Sequence, residues 1–505
     1  MNERKEGAIL SYVQVMLSVL INVIYVPVLI HYLGKGEYGL YQIVGSFFSY
    51  VSVFESSMAT GVLRNYCNAL GRQDEQEAAT TLYMATKIYN FMAVFMTLIG
   101  VVVIFIFRCF YASSFSIEEL NESSAILILL FINMIVTLLG SVYLTIITGN
   151  ERFIFLKITA ILTQLIQPFL VILCVCRWPY AFSVSAIIAL LNIFLVILRY
   201  LYATRYLKIR IVKVEKNVNI IKEIIGLSLT ILFGCIADQI FWKTDQVILG
   251  KLFSTSIVAI YSVGAQIYMI YMQFGTQIAS VFYPRLSIVY QEKDGNKKIS
   301  DLFIRIGRIS LFIILLILSG FIVFGKEFLY LWVGSGYNEA YYVAIIVMIP
   351  FSIDLSQNIA LAILQMKNQY GFRAKIYFLS AVLNIILTVI LASVMGIVGA
   401  AVSTGIAMFI TSGLIMNWYY CKKVDLNVKG FWKSASEIVI AVLIIAVCSL
   451  MIKRYIWNGY VSIIELGIGI ILFVLVYAVI MYLFVMNRGE KDQIKAILLH
   501  RRKNK

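Results

Sequence analysis

Charge is what this sequence has least of. Asp, Glu, Lys and Arg make up 13% of its 505 residues, where a soluble domain carries about a quarter. Histidine occurs only at His31 and His500, which leaves no pair to act as base and metal ligand in one site. The seven cysteines are an odd number, and several (Cys174, Cys176, Cys235, Cys448) sit in apolar runs. They read as packing residues, and a disulfide framework is not expected. No glycine-rich loop has the spacing of a nucleotide-binding motif, which argues against direct drive by ATP.

Apolar residues fill the space that charge leaves. The chain is 61% hydrophobic with a mean hydropathy of +0.90, values that exclude a soluble globular, disordered or fibrous protein. A bilayer crossing takes about 20 apolar residues. The pattern predicts an all-α integral membrane protein with about fourteen transmembrane helices, at 8–33, 38–63, 83–107, 123–148, 154–176, 180–202, 224–250, 256–283, 302–324, 339–366, 374–395, 397–420, 434–452 and 461–486. Gly396 and Gly399 alone split the pair 374–420.

The formal charge is +16. In a membrane chain this excess is read as cytoplasmic loops facing anionic lipid, not as a nucleic-acid surface. With an even number of spans both termini share one side. The opposite side holds only Lys35, Arg108, Arg177, Lys251, Lys326, Lys453 and Arg454, and Lys243 lies inside span 7. Both termini are therefore expected in the cytoplasm.

Loop lengths run short, long, long, short, short across spans 1–6 and again across spans 7–12. This predicts two pseudo-symmetric six-helix lobes, 1–202 and 224–420, joined by a basic cytoplasmic connection at 203–223. Spans 13 and 14 (421–486) are almost wholly apolar and are expected to lie outside a central cavity. A basic tail at 487–505, with Ile494, Ile497, Leu498 and Leu499, reads as a surface helix on the inner leaflet.

Polar side chains inside the spans face protein or water. Span 1 aligns Ser11, Gln14, Ser18, Asn22 and Tyr25 on one face, and span 2 adds Gln42, Ser46, Ser49 and Glu55. Span 7 carries Asp238, Gln239, Trp242, Lys243, Asp245 and Gln246. Span 8 carries Tyr261, Ser262, Gln266, Gln273 and Gln277, and span 10 Asp354, Gln357 and Asn358 after Pro350. Stripes in spans 1, 2, 7 and 8, the first pairs of both halves, are what a cavity between two lobes needs. Interhelical hydrogen bonding accounts equally well for any one stripe.

The run Gly7-Ala8-Ile9-Leu10-Ser11-Tyr12, the turn Tyr32-Leu33-Gly34-Lys35-Gly36-Glu37-Tyr38-Gly39-Leu40-Tyr41 and the exit Arg64-Asn65-Tyr66 resemble bacterial polysaccharide repeat-unit flippases. These belong to the multidrug/oligosaccharidyl-lipid/polysaccharide exporter superfamily. The stretch Thr244-Asp245-Gln246-Val247-Ile248-Leu249-Gly250, followed by Val258-Ala259-Ile260-Tyr261, looks like that family's entry to its second lobe. Where the family often has Asp followed closely by Gly late in span 2, this chain reads Phe54-Glu55-Ser56-Ser57.

The resemblance implies movement of an undecaprenyl-diphosphate-linked oligosaccharide from the inner to the outer leaflet of the bacterial cytoplasmic membrane. The protein would be a transporter and not an enzyme, with membrane lipids and a polysaccharide polymerase or other assembly proteins as partners. The diphosphate needs cations, for which Lys243, Arg64, Lys87 and Arg308 are the candidates. Sugars need amide, hydroxyl and aromatic groups, and Trp242, Tyr261, Gln266, Gln273 and Gln277 supply them. Snorkelling to headgroups is the other account of Arg64, Lys87 and Arg308. No cofactor or metal is called for. Glu55, Asp238, Asp245, Asp354, Gln357 and Asn22 are candidates for the cavity wall or for coupling to a proton or sodium gradient, the carboxylates serving otherwise to hold helices together. An ion-coupled drug or cation antiporter of the same superfamily is the nearest alternative, and a membrane polymerase or acyltransferase a distant third.

Overall fold

A computed structural model describes residues 3–209, 211–214, 218–280, 282–290, 292, 295–456 and 462–492 of the chain. The connection 203–223 is described in part, and the tail residues Ile494, Ile497, Leu498 and Leu499 lie outside the described residues. Those described form an all-helical protein: α1 (Glu3–Gly71), α2 (Glu75–Tyr111), α3 (Ile117–Gly149), α4 (Phe153–Val175), α5 (Ala181–Leu201), α6 (Val218–Leu252), α7 (Thr255–Ser280), α8 (Tyr283–Tyr290), α9 (Gly295–Val333), α10 (Asn338–Ser356), α11 (Ile359–Met366), α12 (Tyr370–Met408), α13 (Met416–Lys422), α14 (Val428–Ile456) and α15 (Ile463–Ile480). Among the described residues twelve helices are long and apolar enough to cross a membrane.

Two of those twelve are double. The helical runs Val13–Gly71 and Tyr370–Lys422 have 59 and 53 residues, far beyond one crossing at about 1.5 Å per residue. Each is broken at a glycine with positive φ, Gly34 at 74° and Gly396 at 61°, a backbone region that a Cβ disfavours. The two breaks resolve the twelve helices into the fourteen expected spans, and Gly396 falls at the division expected there.

Expected span 10 is not one continuous helix. It is interrupted at Gln357 and Asn358, between α10 and α11, where the Asn358 N–H bonds three residues back to the Leu355 carbonyl. Pro350, earlier in α10, leaves the Ile346 carbonyl without its helical donor. Gly405 of α12 packs against that carbonyl, at 3.1 Å from where a Cβ would stand.

The chain forms two compact units, Met1–Ser262 and Val263–Lys505. In the first, Val62, Tyr66 and Ala69 of α1 pack with Leu82, Ala85 and Tyr89 of α2, Leu138 and Ile146 of α3, and Ile224 of α6. Two glycines let backbones approach. A Cβ at Gly39 would collide with the Thr255 carbonyl, and one at Gly61 with Ser228 Oγ. Small residues at such crossings are the usual solution where lipid gives helices no hydrophobic reason to associate. In the second unit α9 is the central element. Phe303, Ile306 and Ile314 are fully buried, and Phe303 packs on Phe431 of α14 at 5.3 Å between ring centroids.

Candidate functional site

The Thr244–Gly250 stretch of α6 sits within the first unit, and its polar side chains bond to that unit. Ser46 Oγ of α1 donates to Gln246 Oε1, and Gln246 Nε2 donates to Ser262 Oγ at 3.0 Å. Thr244 Oγ1 lies 2.9 Å from Tyr50 Oη. Tyr261 Oη donates to Asp245 Oδ2 at 2.5 Å, and Tyr111 Oη of α2 to the Val247 carbonyl at 3.0 Å. Asp245 and Gln246 are 2% and 3% exposed, so these bonds decide whether the polar atoms are satisfied. The stretch fastens α6 to α1, α2 and the start of α7.

Lys243 immediately precedes this stretch and takes no part in it. It is half-buried, and among the described residues it forms no ion pair or hydrogen bond. Asp245, the nearest acid in sequence, is turned to Tyr261. The half-buried Asp238 lies beside Cys235 one turn earlier. Trp242 is buried, its indole edge-on to Phe241 at 4.8 Å.

Glu55 is half-buried in α1, within electrostatic range of Arg199 of α5 and Tyr89 of α2 but not in a direct ion pair with Arg199. Tyr89 Oη, Arg199 Nε and Asn133 Oδ1 are buried atoms of the same unit with no hydrogen-bond partner among the described residues. Arg199 and Tyr89 were not candidates from sequence. Arg199 lies at the basic end of a span, where a snorkelling residue is the ordinary expectation, and only the packing turns it inward. Arg64 and Lys87 are exposed, Lys87 lying 5.5 Å above the Tyr83 ring. Asn22 is exposed and donates to the Ser18 carbonyl at 2.9 Å.

The second unit spends its candidates on itself. Arg308 is 4% exposed. Its Nε donates to Glu490 Oε1 at 2.7 Å and its Nη2 to Glu490 Oε2 at 3.2 Å. Nη1 reaches the Ser434 carbonyl at 2.9 Å, and Nη2 the Val485 carbonyl at 3.1 Å. Its expected place facing a diphosphate is therefore corrected: all three guanidinium nitrogens are engaged by α14 and the segment after α15. Asp354 pairs with Arg373 of α12 at 2.9 Å. Gln357 donates to Asn417 Oδ1 at 2.8 Å, which also accepts from Trp432 Nε1. Gln266 is half-buried, whereas Gln273 and Gln277 are exposed on α7.

Residues 5–290, more than half of the chain, match the polysaccharide biosynthesis protein family, and the chain belongs to that family. It is 29% identical over 243 residues to the probable low-salt glycan biosynthesis flippase Agl15 of Haloferax volcanii. That match takes in 48% of this chain, which spans about half (50%) of the relative's length. In fold it is similar to the lipid II flippase MurJ in an inward closed conformation, with a TM-score of 0.69 and 14% identity over 94% of this chain and 98% of that one. It is also similar to an inward-facing multidrug resistance MATE family transporter of the MOP superfamily, with a TM-score of 0.61 and 12% identity over 83% and 95% of the two chains.

Proposed function

We propose that this protein moves an undecaprenyl-diphosphate-linked oligosaccharide from the inner to the outer leaflet of a bacterial cytoplasmic membrane during surface polysaccharide assembly. In this reading both termini are cytoplasmic, and rocking of two six-helix lobes (1–202 and 224–420) alternates access. The observation that carries it is Lys243. An ammonium inside an apolar helix is costly unless an anion meets it, and among the described residues Lys243 has no ion pair, the nearest acid in sequence, Asp245, being turned to Tyr261. A substrate diphosphate supplies the absent charge, and Trp242 is the adjacent aromatic residue on the same helix for the sugars. Support comes from family membership and from the relative named as a glycan biosynthesis flippase.

The second reading is a cation antiporter. It is favoured by the likeness of fold to a MATE transporter and by Glu55 lying out of direct contact with Arg199. The two readings differ in the charge sign of the cargo. Purified protein in vesicles is expected to carry a fluorescent undecaprenyl-diphosphate glycan across the bilayer and to leave organic cations behind. Proton- or sodium-driven uptake of a cationic dye with no movement of the lipid would reverse the order.

A further inference from the structure

Three of the few basic residues on the side of the spans away from the termini converge in the second unit. A cavity of about 340 Å³ is lined by Ile322 and Lys326 of α9, Tyr341 of α10, and Leu450, Lys453 and Arg454 of α14. These positions fall at the end of α9, the start of α10 and the end of α14, so the cavity sits where the helices leave the apolar zone. Lys453 Nζ is 2.5 Å from Glu327 Oε2 and donates to the Val323 carbonyl. The pair Lys453–Glu327 is thereby neutral and fixes α14 to α9. Lys326 and Arg454 remain, both exposed and without an ion pair among the described residues. Lys326 Nζ stands 5.3 Å from the centroids of both the Tyr341 and Tyr342 rings, an aromatic seat that keeps the cation without neutralising it.

The other carboxylates at this end do not compensate. Glu465 is held by the Ser462 N–H and hydroxyl at the cap of α15, at 2.8 and 2.9 Å. Glu339, in the first turn of α10, does not line the cavity. Residues 457–461, between α14 and α15, contain no acid.

Below the cavity, α14 presents a continuous apolar stripe. Leu443, Val447 and Leu450 are 59%, 48% and 38% exposed and recur at helical spacing in line with Arg454. Two cations without an ion pair among the described residues, above an exposed apolar track, have the chemistry of a phospholipid site, with a phosphate at the cations and an acyl chain on the stripe. We propose that this cavity binds the phosphate headgroup of an anionic membrane lipid. The site is independent of the transport cargo.

The test is native mass spectrometry of the full-length protein in detergent, offered equal phosphatidylglycerol and phosphatidylcholine. Phosphatidylglycerol is expected to be retained preferentially. Lys326→Gln with Arg454→Gln is expected to weaken that retention about thirtyfold, from the contribution of each basic residue near anionic headgroups. Lys326→Arg with Arg454→Lys should keep it, which separates loss of charge from loss of fold. Equal retention of both lipids, or unchanged retention in the glutamine variant, overturns the proposal. Displacement of phosphatidylglycerol by excess inorganic pyrophosphate also overturns it, because the site would then belong to soluble phosphate.

Discussion

Lys243 and Arg308 are both cations on membrane-spanning helices, one in each compact unit, and they have opposite surroundings. Arg308 is met by the Glu490 carboxylate, the Ser434 carbonyl and hydroxyl, and the Val485 carbonyl. Lys243 has no ion pair among the described residues, although Asp245 is two positions away. A charge that the fold neutralises serves as an internal fastener. A charge that the fold leaves open carries the desolvation cost of an ammonium in an apolar helix, and under the proposed function the anion that meets it is the substrate's. The contrast also separates residue types. Arginine's planar fork suits a fixed multidentate seat, whereas lysine is a compact charge on a flexible stem, able to meet and release a moving partner.

The comparison breaks first, and most visibly, at Lys243. Lys243→Ala is expected to cut flipping of the labelled lipid in vesicles at least about thirtyfold, the scale of losing one partner of a desolvated charge pair. Its melting temperature should match the parent protein, and Lys243→Arg should keep part of the activity. The double substitution Lys243→Ala with Asp245→Asn should be as inactive as the single. Recovery of transport in that double would make Lys243 another fastener and erase the contrast.

Arg308 should behave the other way round. Arg308→Ala leaves the Glu490 carboxylate buried and unpaired, an expected loss of about 3–5 kcal/mol read as a lower thermal midpoint and lower yield. Arg308→Met combined with Glu490→Leu should recover most of that stability, since apolar replacement of a buried pair is often neutral. Flipping per folded molecule should be near normal in the double variant. A stable but transport-dead double variant would move Arg308 from the fastener to the substrate side of the comparison.

A smaller effect sharpens the role of the stretch that follows Lys243. Tyr261→Phe removes the hydroxyl that donates to Asp245 and should cost about 1.5–3 kcal/mol, the scale of a hydrogen bond to a charged group. Tyr261→Phe with Asp245→Asn should cost less than the two single changes added together, because the pair is a contact. Strict additivity in thermal unfolding would show that the 2.5 Å contact carries no coupling.

The first unit has a further lesson in the Thr244–Gly250 stretch. Its resemblance to a family motif at the entry of the second lobe was legible from sequence, and so was its polarity within an apolar helix. Its direction was not. Ser46, Tyr50 and Tyr111 lie more than a hundred positions away along the chain. Periodicity locates the face on which Gln246 lies, but not the helix that will receive it. The same limit applies to Glu55, whose sequence neighbours are Phe54 and Ser56 and whose surroundings, burial together with the nearby Arg199 and Tyr89, come from α5 and α2.

Hydropathy by itself determined that this chain is all helix and crosses a membrane many times. A bilayer permits no unsatisfied backbone, and each crossing must be apolar for about 20 residues, a requirement that leaves a local and readable trace. Gly396 likewise marked a division between spans, because freedom at positive φ belongs to the residue itself. The interruption at Gln357 and Asn358 left no comparable trace, since neither residue is an obligate helix breaker. Which cations are neutralised was decided only by the tertiary structure. Arg308 and Glu490 stand 182 positions apart, and a charge's worth in an apolar medium depends on what lies within a few ångströms of it, a distance that folding sets and chain order does not.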